Sequence, residues 1–350
     1  MSHQYSSLPA SLSPAPDKTA PSPAGITALR RTVAVACTLA CLALLASAQA
    51  ARADWPERTV KLVVTFPPGS ANDAAARIFA DALSRRWGKP VVIENKVGAE
   101  GTIGAATFAA AKDDHSLLYT VAGTVSVAPL LVDKLPYDSD RDLVPIAATT
   151  EIVLTLALNA QLPARGIDDL IGTLKAHPAE YAWASGPSLP RYVFAAFLKR
   201  RDLQMTYVVY RDAAQPQADL GEGRIQFLLT SLTASSSPVQ AGKARFIAVA
   251  NPTRSAALPD LPTVRELGYP ELEISGLAGV FGGKDMGELL RKRIATDVAE
   301  VCRDPEVRRK LESSGHIVLD GSAAQLTTAI ERQRASVAEI SKLIDIRNAR

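Results

Sequence analysis

The alternation of short apolar runs with longer helical patterns constrains this chain more than any other feature of its sequence. Residues 60–66 (VKLVVTF) predict a buried strand, residues 72–87 carry apolar side chains at helical spacing, and residues 91–94 predict the next strand. This order is typical of an α/β fold with a mostly parallel sheet. Because 350 residues exceed the usual size of one domain, the length favours two lobes.

The alternation continues through the rest of the chain. A Gly-rich loop opens an Ala-rich helix that ends near Lys112, and Ser322 with Gln325 forms the pattern of a capping box. We predict helices at residues 168–176, 192–201, 215–220 and 290–301, and strands at residues 116–121, 146–158, 181–185, 206–210, 225–229, 246–250 and 274–281.

Residues 1–53 carry the pattern of a leader and secretory signal peptide. An apolar run at residues 32–48 follows Arg30 and Arg31 and ends in small-residue triplets, which predicts cleavage near Ala53 and a periplasmic protein. A membrane anchor is the alternative, but the run is short and rich in small side chains. Cleavage would also remove Cys37 and Cys41, so the exported chain keeps Cys302 and forms no internal disulfide.

Composition and charge exclude several classes of protein. Hydrophobic residues make up 47% and charged residues 21% of the chain, which excludes a disordered chain and a multi-span membrane protein. The net charge of +3 lies in the leader, where four basic residues face one acidic residue, so the remainder has 35 of each. This balance predicts no nucleic-acid partner.

The chain lacks the common sequence signatures of catalysis. His115, His177 and His316 stand alone in the sequence, and there is no cysteine pair, no Walker loop, and no G-x-S-x-G or H-E-x-x-H motif. We therefore expect a binding protein that is not an enzyme, with no cofactor and no metal site.

Three loops rich in small residues each stand between a predicted strand and a predicted helix. They occupy residues 66–73 (FPPGSAND), 98–104 (GAEGTIG) and 123–126 (GTVS). In the first loop, Gly69 and Ser70 would place backbone N–H groups at a helix N-terminus, where an anion is stabilised. Ligands of open α/β sheets bind at the carboxyl ends of the strands, so the three loops together predict a site for a small anion.

At these residues the sequence resembles the Bug family of extracytoplasmic receptors, the solute-binding components of tripartite tricarboxylate transporters. The resemblance runs from about Trp55 to the C-terminus and rests on WPERTVKLVVTFPPGSANDAAAR, VVIENKVGAEGTIGA, KLPYDSDRDLVPIA and AGKARFIAVANPTRSAALPDLPTVRELGYPELE. It implies a two-lobe periplasmic-binding-protein fold of the type II-like, Venus flytrap kind. Lobe one would comprise residues 54–152 plus 276–350 and lobe two residues 153–275, with a small carboxylate enclosed between them.

The resemblance also implies which residues bind the ligand. The first three loops correspond to Phe66, Pro68, Gly69, Ser70, Asp73, Gly98, Gly101, Gly104, Gly123 and Thr124. The lobe-two contacts correspond to Ala184, Ser185, Gly186, Tyr210 and the loop that follows Tyr210, which includes Asp212.

Several departures from the family pattern bear on the ligand. Ser70, Glu100 and Asp212 stand where glycine is usual, and the lobe-two loop that ends at Arg191 is two residues shorter. Arg191 is a candidate to pair with a second carboxylate, with a solvated surface charge as the alternative. Glu100 and Asp212 would repel a polyanion or accept an ammonium, so an amino acid is the alternative ligand.

The sequence therefore predicts a monomeric periplasmic receptor that delivers a small carboxylate or amino acid to a tripartite tricarboxylate-type permease. Two alternatives stay open, namely an orphan receptor that signals to a sensor protein and an exported enzyme on the same fold.

Overall fold

The computed structural model describes residues 55–132, 134–186, 189–210 and 215–346, so the predicted signal peptide and Asp212 lie outside the described residues. The described residues from Arg58 to Ile346 form one compact unit with two β-sheets. No helix of this described part has the length and apolar character to cross a membrane. The described strands are β1 (Val60–Val64), β2 (Val91–Asn95), β3 (Ser116–Val121), β4 (Val144–Ile152), β5 (Leu154–Asn159), β6 (Ala182–Ser185), β7 (Thr206–Tyr207), β8 (Phe227–Ser231), β9 (Ala244–Val249), β10 (Leu277–Gly282) and β11 (His316–Val318).

Each sheet mixes parallel and antiparallel neighbours. The first sheet has the order β11-β4-β10-β3-β1-β2, and the second has the order β7-β6-β8-β5-β9. β1 is parallel to β2 and β3, and β6 is parallel to β7 and β8. The other pairings between the described strands are antiparallel, so the prediction of a mostly parallel sheet is wrong. The reason is that β4, β5 and β10 connect the two sheets and return against the direction of their neighbours.

Helices cover the faces of both sheets. The described helices are α1 (Ala71–Trp87), α2 (Thr102–Ala111), α3 (Ala122–Ser126), α4 (Ala128–Leu131), α5 (Ile167–Ala176), α6 (Leu189–Arg200), α7 (Gln215–Gly221), α8 (Ser236–Gln240), α9 (Glu288–Arg303), α10 (Pro305–Ser313) and α11 (Ala323–Ser341). Two short 3₁₀ turns occupy Ala99–Gly101 and Pro270–Leu272.

The first helix shows why the local sequence sets its ends. Ser70 is the N-cap of α1, and its hydroxyl accepts a hydrogen bond from the Asp73 backbone N–H. Gly88 ends the helix in the left-handed conformation at φ 63°. The predicted capping box at α11 is wrong, because Ser322 occupies the N-cap position but its side chain makes no capping hydrogen bond.

The C-terminal helix α11 packs against both sheets. Leu326 and Ile330 belong to the core that covers the first sheet, together with Phe281 and Leu118. Val337 and Ile340, further along the helix, belong to the core of the second sheet. α11 therefore passes from one sheet to the other and brings its middle turns to the region between them.

Two chain crossings join the sheets where β4 leads into β5 and where residues 274–276 lead into β10. A Cβ atom on Gly276 would lie 2.5 Å from Ile152 Cγ2, so the two crossing segments lie in direct contact. Asn251 braces the first crossing, since its Oδ1 accepts from Leu154 N at 2.8 Å and its Nδ2 donates to Ile152 O at 2.9 Å.

Candidate functional site

A cleft of about 380 Å³ opens at the carboxyl ends of β1 and β3 and continues to the second sheet. From the first sheet it is lined by Thr65, Phe66, Pro67, Asn72, Val97, Gly98, Glu100, Gly101, Val121, Gly123 and Thr124. The remaining lining residues are Ile152, Leu154, Gly186, Leu189, Pro190, Thr230, Ser231, Ile274, Ser275, Gly276 and Gln333. A larger groove of about 820 Å³ lies along the end of α11, but only Ser126 of the three small-residue loops reaches it, whereas all three loops line the cleft. The cleft is therefore the better candidate site.

The first loop is held in place by the carboxylate of Asp73. This buried carboxylate accepts the Gly69 N–H at 2.9 Å, the Asn95 side-chain amide at 2.7 Å and two bonds from the Arg77 guanidinium. Burial raises the pKa of Asp73, but the bonds from Arg77 and Asn95 outweigh burial and hold the pKa below its usual value. Asp73 and Gly69 thus satisfy each other, and neither lines the cleft.

The start of α1 still presents free backbone donors. Asp73 N and Ala74 N donate to the side chain and the carbonyl of Ser70, whereas Ala71 N and Asn72 N have no acceptor among the described residues. First-turn amides have no partner inside a helix, and the helix dipole adds positive potential there. Phe66 lines the cleft, whereas Pro68 and Ser70 do not.

The second loop approaches the cleft through Gly98 and Gly101. Gly101 is buried at φ 87°, and a Cβ atom there would lie 2.7 Å from Thr124 Oγ1. Gly104 does not line the cleft, because it packs so closely that a Cβ atom would lie 2.7 Å from Lys96 O. Gly104 therefore serves the packing of α2 against the preceding strand.

A chain of buried hydroxyl groups lies beneath the second and third loops. Thr65 Oγ1 and Thr120 Oγ1 are 2.8 Å apart, Thr120 Oγ1 donates to Thr124 Oγ1 at 2.8 Å, and Thr124 Oγ1 donates to Glu100 O at 3.4 Å. Thr124 and its neighbour Gly123 line the cleft, as does Thr65. Thr65 and Thr120 were not predicted from the sequence, although each directly follows a buried strand residue, Val64 and Tyr119 respectively.

Only some of the ligand-binding residues predicted in lobe two line the cleft. Gly186 lines it, but Ala184 is fully buried in the core. Ser185 Oγ is buried without a hydrogen-bond partner among the described residues, and Ser185 is not part of the cleft lining.

The side chains of Arg191 and Tyr210, both predicted to contact the ligand, instead contact other residues of the protein. The Arg191 guanidinium lies 4.4 Å from the ring centroid of Tyr207, so the structure does not bring it to the cleft. The Tyr210 hydroxyl donates to Asp219 at 2.7 Å, which occupies it away from the cleft. Asp212 lies outside the described residues.

The lining includes functional groups that sequence reasoning missed. Gln333 comes from the middle of α11, accepts a bond from Ser126 Oγ at 2.8 Å and donates to Ser275 O at 2.7 Å. Asn72 and Thr230 also line the cleft. A polar residue two positions after the N-cap was a local signal for Asn72, whereas no local signal marked Gln333.

Charged groups are scarce around the cleft. Among its described lining residues, Glu100 is the one charged side chain. His115, His177 and His316 do not line it, and His115 instead lies 2.7 Å from Asp114. Asp113, Asp114 and His115 form the one group with metal-ligand spacing among the described residues, but Arg58 already pairs with Asp113 at 2.6 Å. The cleft geometry suits a ligand held by backbone dipoles and hydroxyl groups.

Comparisons with known proteins agree on one family. A family model described as the tripartite tricarboxylate transporter family receptor matches residues 75–346. The chain is 32% identical to protein BugT of Bordetella pertussis over 66% of this chain and 72% of BugT. It is similar to R. palustris Rpa4515, solved with adipate, at 27% identity and a TM-score of 0.73, covering 83% of this chain and 98% of that one. It also resembles the periplasmic binding protein BugD at 26% identity and a TM-score of 0.69, covering 82% and 98% of the two chains.

Proposed function

Since the chain belongs to the tripartite tricarboxylate transporter family of solute-binding receptors, we propose that it captures a small carboxylate between two lobes and delivers it to a membrane permease. The permease would be of the tripartite tricarboxylate type. The cleft volume of about 380 Å³ falls within the usual range for small-molecule sites, roughly 300–1,000 Å³.

The observation that carries this proposal is the start of α1 inside the cleft. The N–H groups of Ala71 and Asn72 have no acceptor among the described residues, and Asn72 lines the cleft. A carboxylate placed there would receive these hydrogen bonds and the favourable end of the helix dipole without a cationic side chain. The adipate bound to Rpa4515 supports a carboxylate as the ligand class.

We place the lobe boundary at the two crossings, with lobe one at residues 54–152 plus 276–350 and lobe two at residues 153–275. The contact between Gly276 and Ile152 supports this division, because both crossings lie at one place and line the cleft. Closure about such a place would enclose a ligand, and the ligand must bind the closed form more tightly to drive closure.

The remaining parts of the proposal concern partners and location. The protein acts as a monomer in the periplasm after residues 1–53 are removed, and it releases its ligand unchanged. The family relationship supports export, because BugD is a periplasmic binding protein. The position of all three described histidines outside the cleft lining supports binding without turnover.

The proposal is tested by expressing the full chain in a bacterium and purifying it from the periplasm. N-terminal sequencing reports the cleavage site, and light scattering after size exclusion reports the oligomeric state. Unfolding and refolding removes any bound solute before calorimetry with mono-, di- and tricarboxylates, amino acids and aromatic acids. Saturable binding of at least one carboxylate, recovered unchanged afterwards, is the expected result.

A matched pair of glycine substitutions shows whether the ligand occupies the cleft. Gly123 lines the cleft in α3 and Gly172 lies on the exposed face of α5, and neither has a positive φ. Gly123→Leu places a bulky side chain beside the cleft and is expected to abolish binding, whereas Gly172→Leu should leave binding intact. Equal affinities in the two variants, or a cooperatively folded protein that binds none of the acids, would contradict the proposal.

A further inference from the structure

Among the described residues that line the cleft, Asn72 is the one whose buried side-chain oxygen has no hydrogen-bond partner. Asn72 is the second residue of α1, is 8% exposed and lines the cleft. Its Oδ1 is buried and makes no hydrogen bond to any described residue. A buried amide oxygen without a donor is costly, so its presence calls for a donor supplied from elsewhere.

Two other polar side chains of this region, Asp73 and Gln333, have hydrogen-bond partners within the protein. The Asp73 carboxylate is bonded to Gly69, Arg77 and Asn95, and the Gln333 amide bonds to Ser126 and Ser275. The cleft itself is the direction from which a donor can reach this atom.

The charge of the cleft also favours a ligand group that donates hydrogen bonds. Among the described lining residues Glu100 is the one that carries a charge, and it is negative. The wall formed by the second sheet and its crossings is apolar at Leu154, Leu189 and Ile274. A hydroxyl or ammonium group on the ligand therefore meets acceptors on the α1 side, whereas a second carboxylate meets no cation among the described lining residues.

The position of the donor on the ligand follows from the position of Asn72. Its backbone N–H is one of the two free amides that would hold the carboxylate, and the short side chain keeps Oδ1 close to that amide. A donor that reaches Oδ1 while the carboxylate stays on the amides must sit close to the carboxylate along the ligand. The carbon next to the carboxylate is the position that satisfies both contacts.

We infer that this receptor selects acids that carry a hydroxyl or ammonium group on the carbon next to the carboxylate, and that Asn72 Oδ1 is the acceptor that recognises this group. The inference rests on the proposed function and deepens it. Asn72 is thus a specificity-determining residue for a 2-hydroxy or 2-amino acid.

The test compares ligands that differ only at that carbon. Two sets are used, propionate with lactate and alanine, and succinate with malate and aspartate, each titrated into the full refolded protein by calorimetry. In at least one set, the hydroxy or amino acid is expected to bind at least about 10-fold more tightly than the unsubstituted acid. Comparison of the hydroxy acid with the amino acid then decides which donor the cleft takes.

Variants at residue 72 then test the role of the side chain. Asn72→Leu removes the acceptor at similar size, so it should lower the affinity for the substituted acids more than the affinity for the unsubstituted acid and thereby abolish the preference. Asn72→Asp keeps an oxygen at this place and loses the amide N–H, so it should retain the preference for the ammonium-bearing acid over the unsubstituted acid. Gln325→Leu makes the same kind of change in the first turn of α11, outside the cleft, and should leave the preference unchanged.

The outcomes separate the inference from the proposed function. If unsubstituted acids bind the wild-type protein as tightly as substituted ones, the inference is wrong and the proposed function stands. A preference that persists in Asn72→Leu also overturns it, because another residue would then supply the acceptor. If no acid of any kind binds, both the proposed function and the inference fail.

Discussion

Two glycines with nearly the same backbone conformation allow the packing of the second loop to be measured. Gly101 has φ 87° and Gly69 has φ 82°, so an alanine at either place adopts the left-handed region at a cost of about 1–2 kcal/mol. At Gly69 no described atom lies within 4 Å of the new Cβ. At Gly101 the Cβ would lie 2.7 Å from Thr124 Oγ1, 3.1 Å from Thr124 Cγ2 and 3.3 Å from Thr65 Cβ.

The difference between the two variants isolates the steric contact. Overpacking of a core costs about 1–3 kcal/mol, so Gly101→Ala should lower the free energy of unfolding by about 2 kcal/mol more than Gly69→Ala does. For a chain of this size the extra loss corresponds to a melting temperature lower by roughly 3 °C. Urea unfolding followed by circular dichroism measures the free energies directly.

A second substitution tests whether Thr124 is the cause. In the Thr124→Ala background the two close Thr124 atoms are gone and Thr65 Cβ remains, so the extra cost of Gly101→Ala should fall, with a coupling energy of about 1 kcal/mol or more. Equal losses in Gly101→Ala and Gly69→Ala would refute the packing argument. So would a cost of Gly101→Ala that is the same with and without Thr124.

Three buried ionisable side chains outside the cleft lead to further predictions about reactivity and stability. Burial raises the pKa of the Cys302 thiol to about 12. A thiol reagent at mildly alkaline pH should therefore label Cys302 only as fast as the protein unfolds. Labelling of the folded protein at the rate of a free thiol would contradict this expectation. Burial lowers the pKa of His316 from 6.5 to about 4, so the unfolded chain binds more protons and the free energy of unfolding should fall as pH falls through that range. His316→Gln should flatten the melting temperature over that range of pH. Burial raises the pKa of Glu151, whose Oε1 has no partner among the described residues, so stability falls as pH rises above the usual carboxyl value. Glu151→Gln should therefore stabilise the protein by about 1–3 kcal/mol at neutral pH, measured by urea unfolding, and should bring no gain under acidic conditions.

The parts of the site that the sequence predicted are local in the chain. The strand-loop-helix pattern identified the three loops, and Phe66, Gly98, Gly101, Gly123 and Thr124 do line the cleft. Such loops are recognisable because strand periodicity, small turn residues and helix starts occur within about ten residues of one another. Pattern alone could not tell a glycine that faces the cleft from one that packs against a neighbouring strand, as Gly104 does.

The parts that escaped prediction depend on contacts between distant segments. Arg191 was expected in the cleft, but an aromatic ring 16 residues further along the chain, Tyr207, holds its guanidinium elsewhere. Strand direction could not be predicted either, because β4, β5 and β10 pair antiparallel with strands that are far away in the sequence. The spacing of apolar residues along α11 is that of a helix, but it did not predict that Gln333 would reach Ser126, 207 residues earlier in the chain.

Gln333 lies where a relative movement of the two sheets would meet the cleft. The two crossings touch at Ile152 and Gly276, so a rotation of one sheet against the other turns about that contact. α11 cannot follow both sheets rigidly, because Ile330 packs in the core of the first and Val337 in the core of the second. Any closure must therefore bend α11 or shift it between these two residues, where Gln333 lies. Because Gln333 also lines the cleft and donates to Ser275 at the second crossing, one hydrogen-bonded side chain links the middle of α11, the crossing and the cleft.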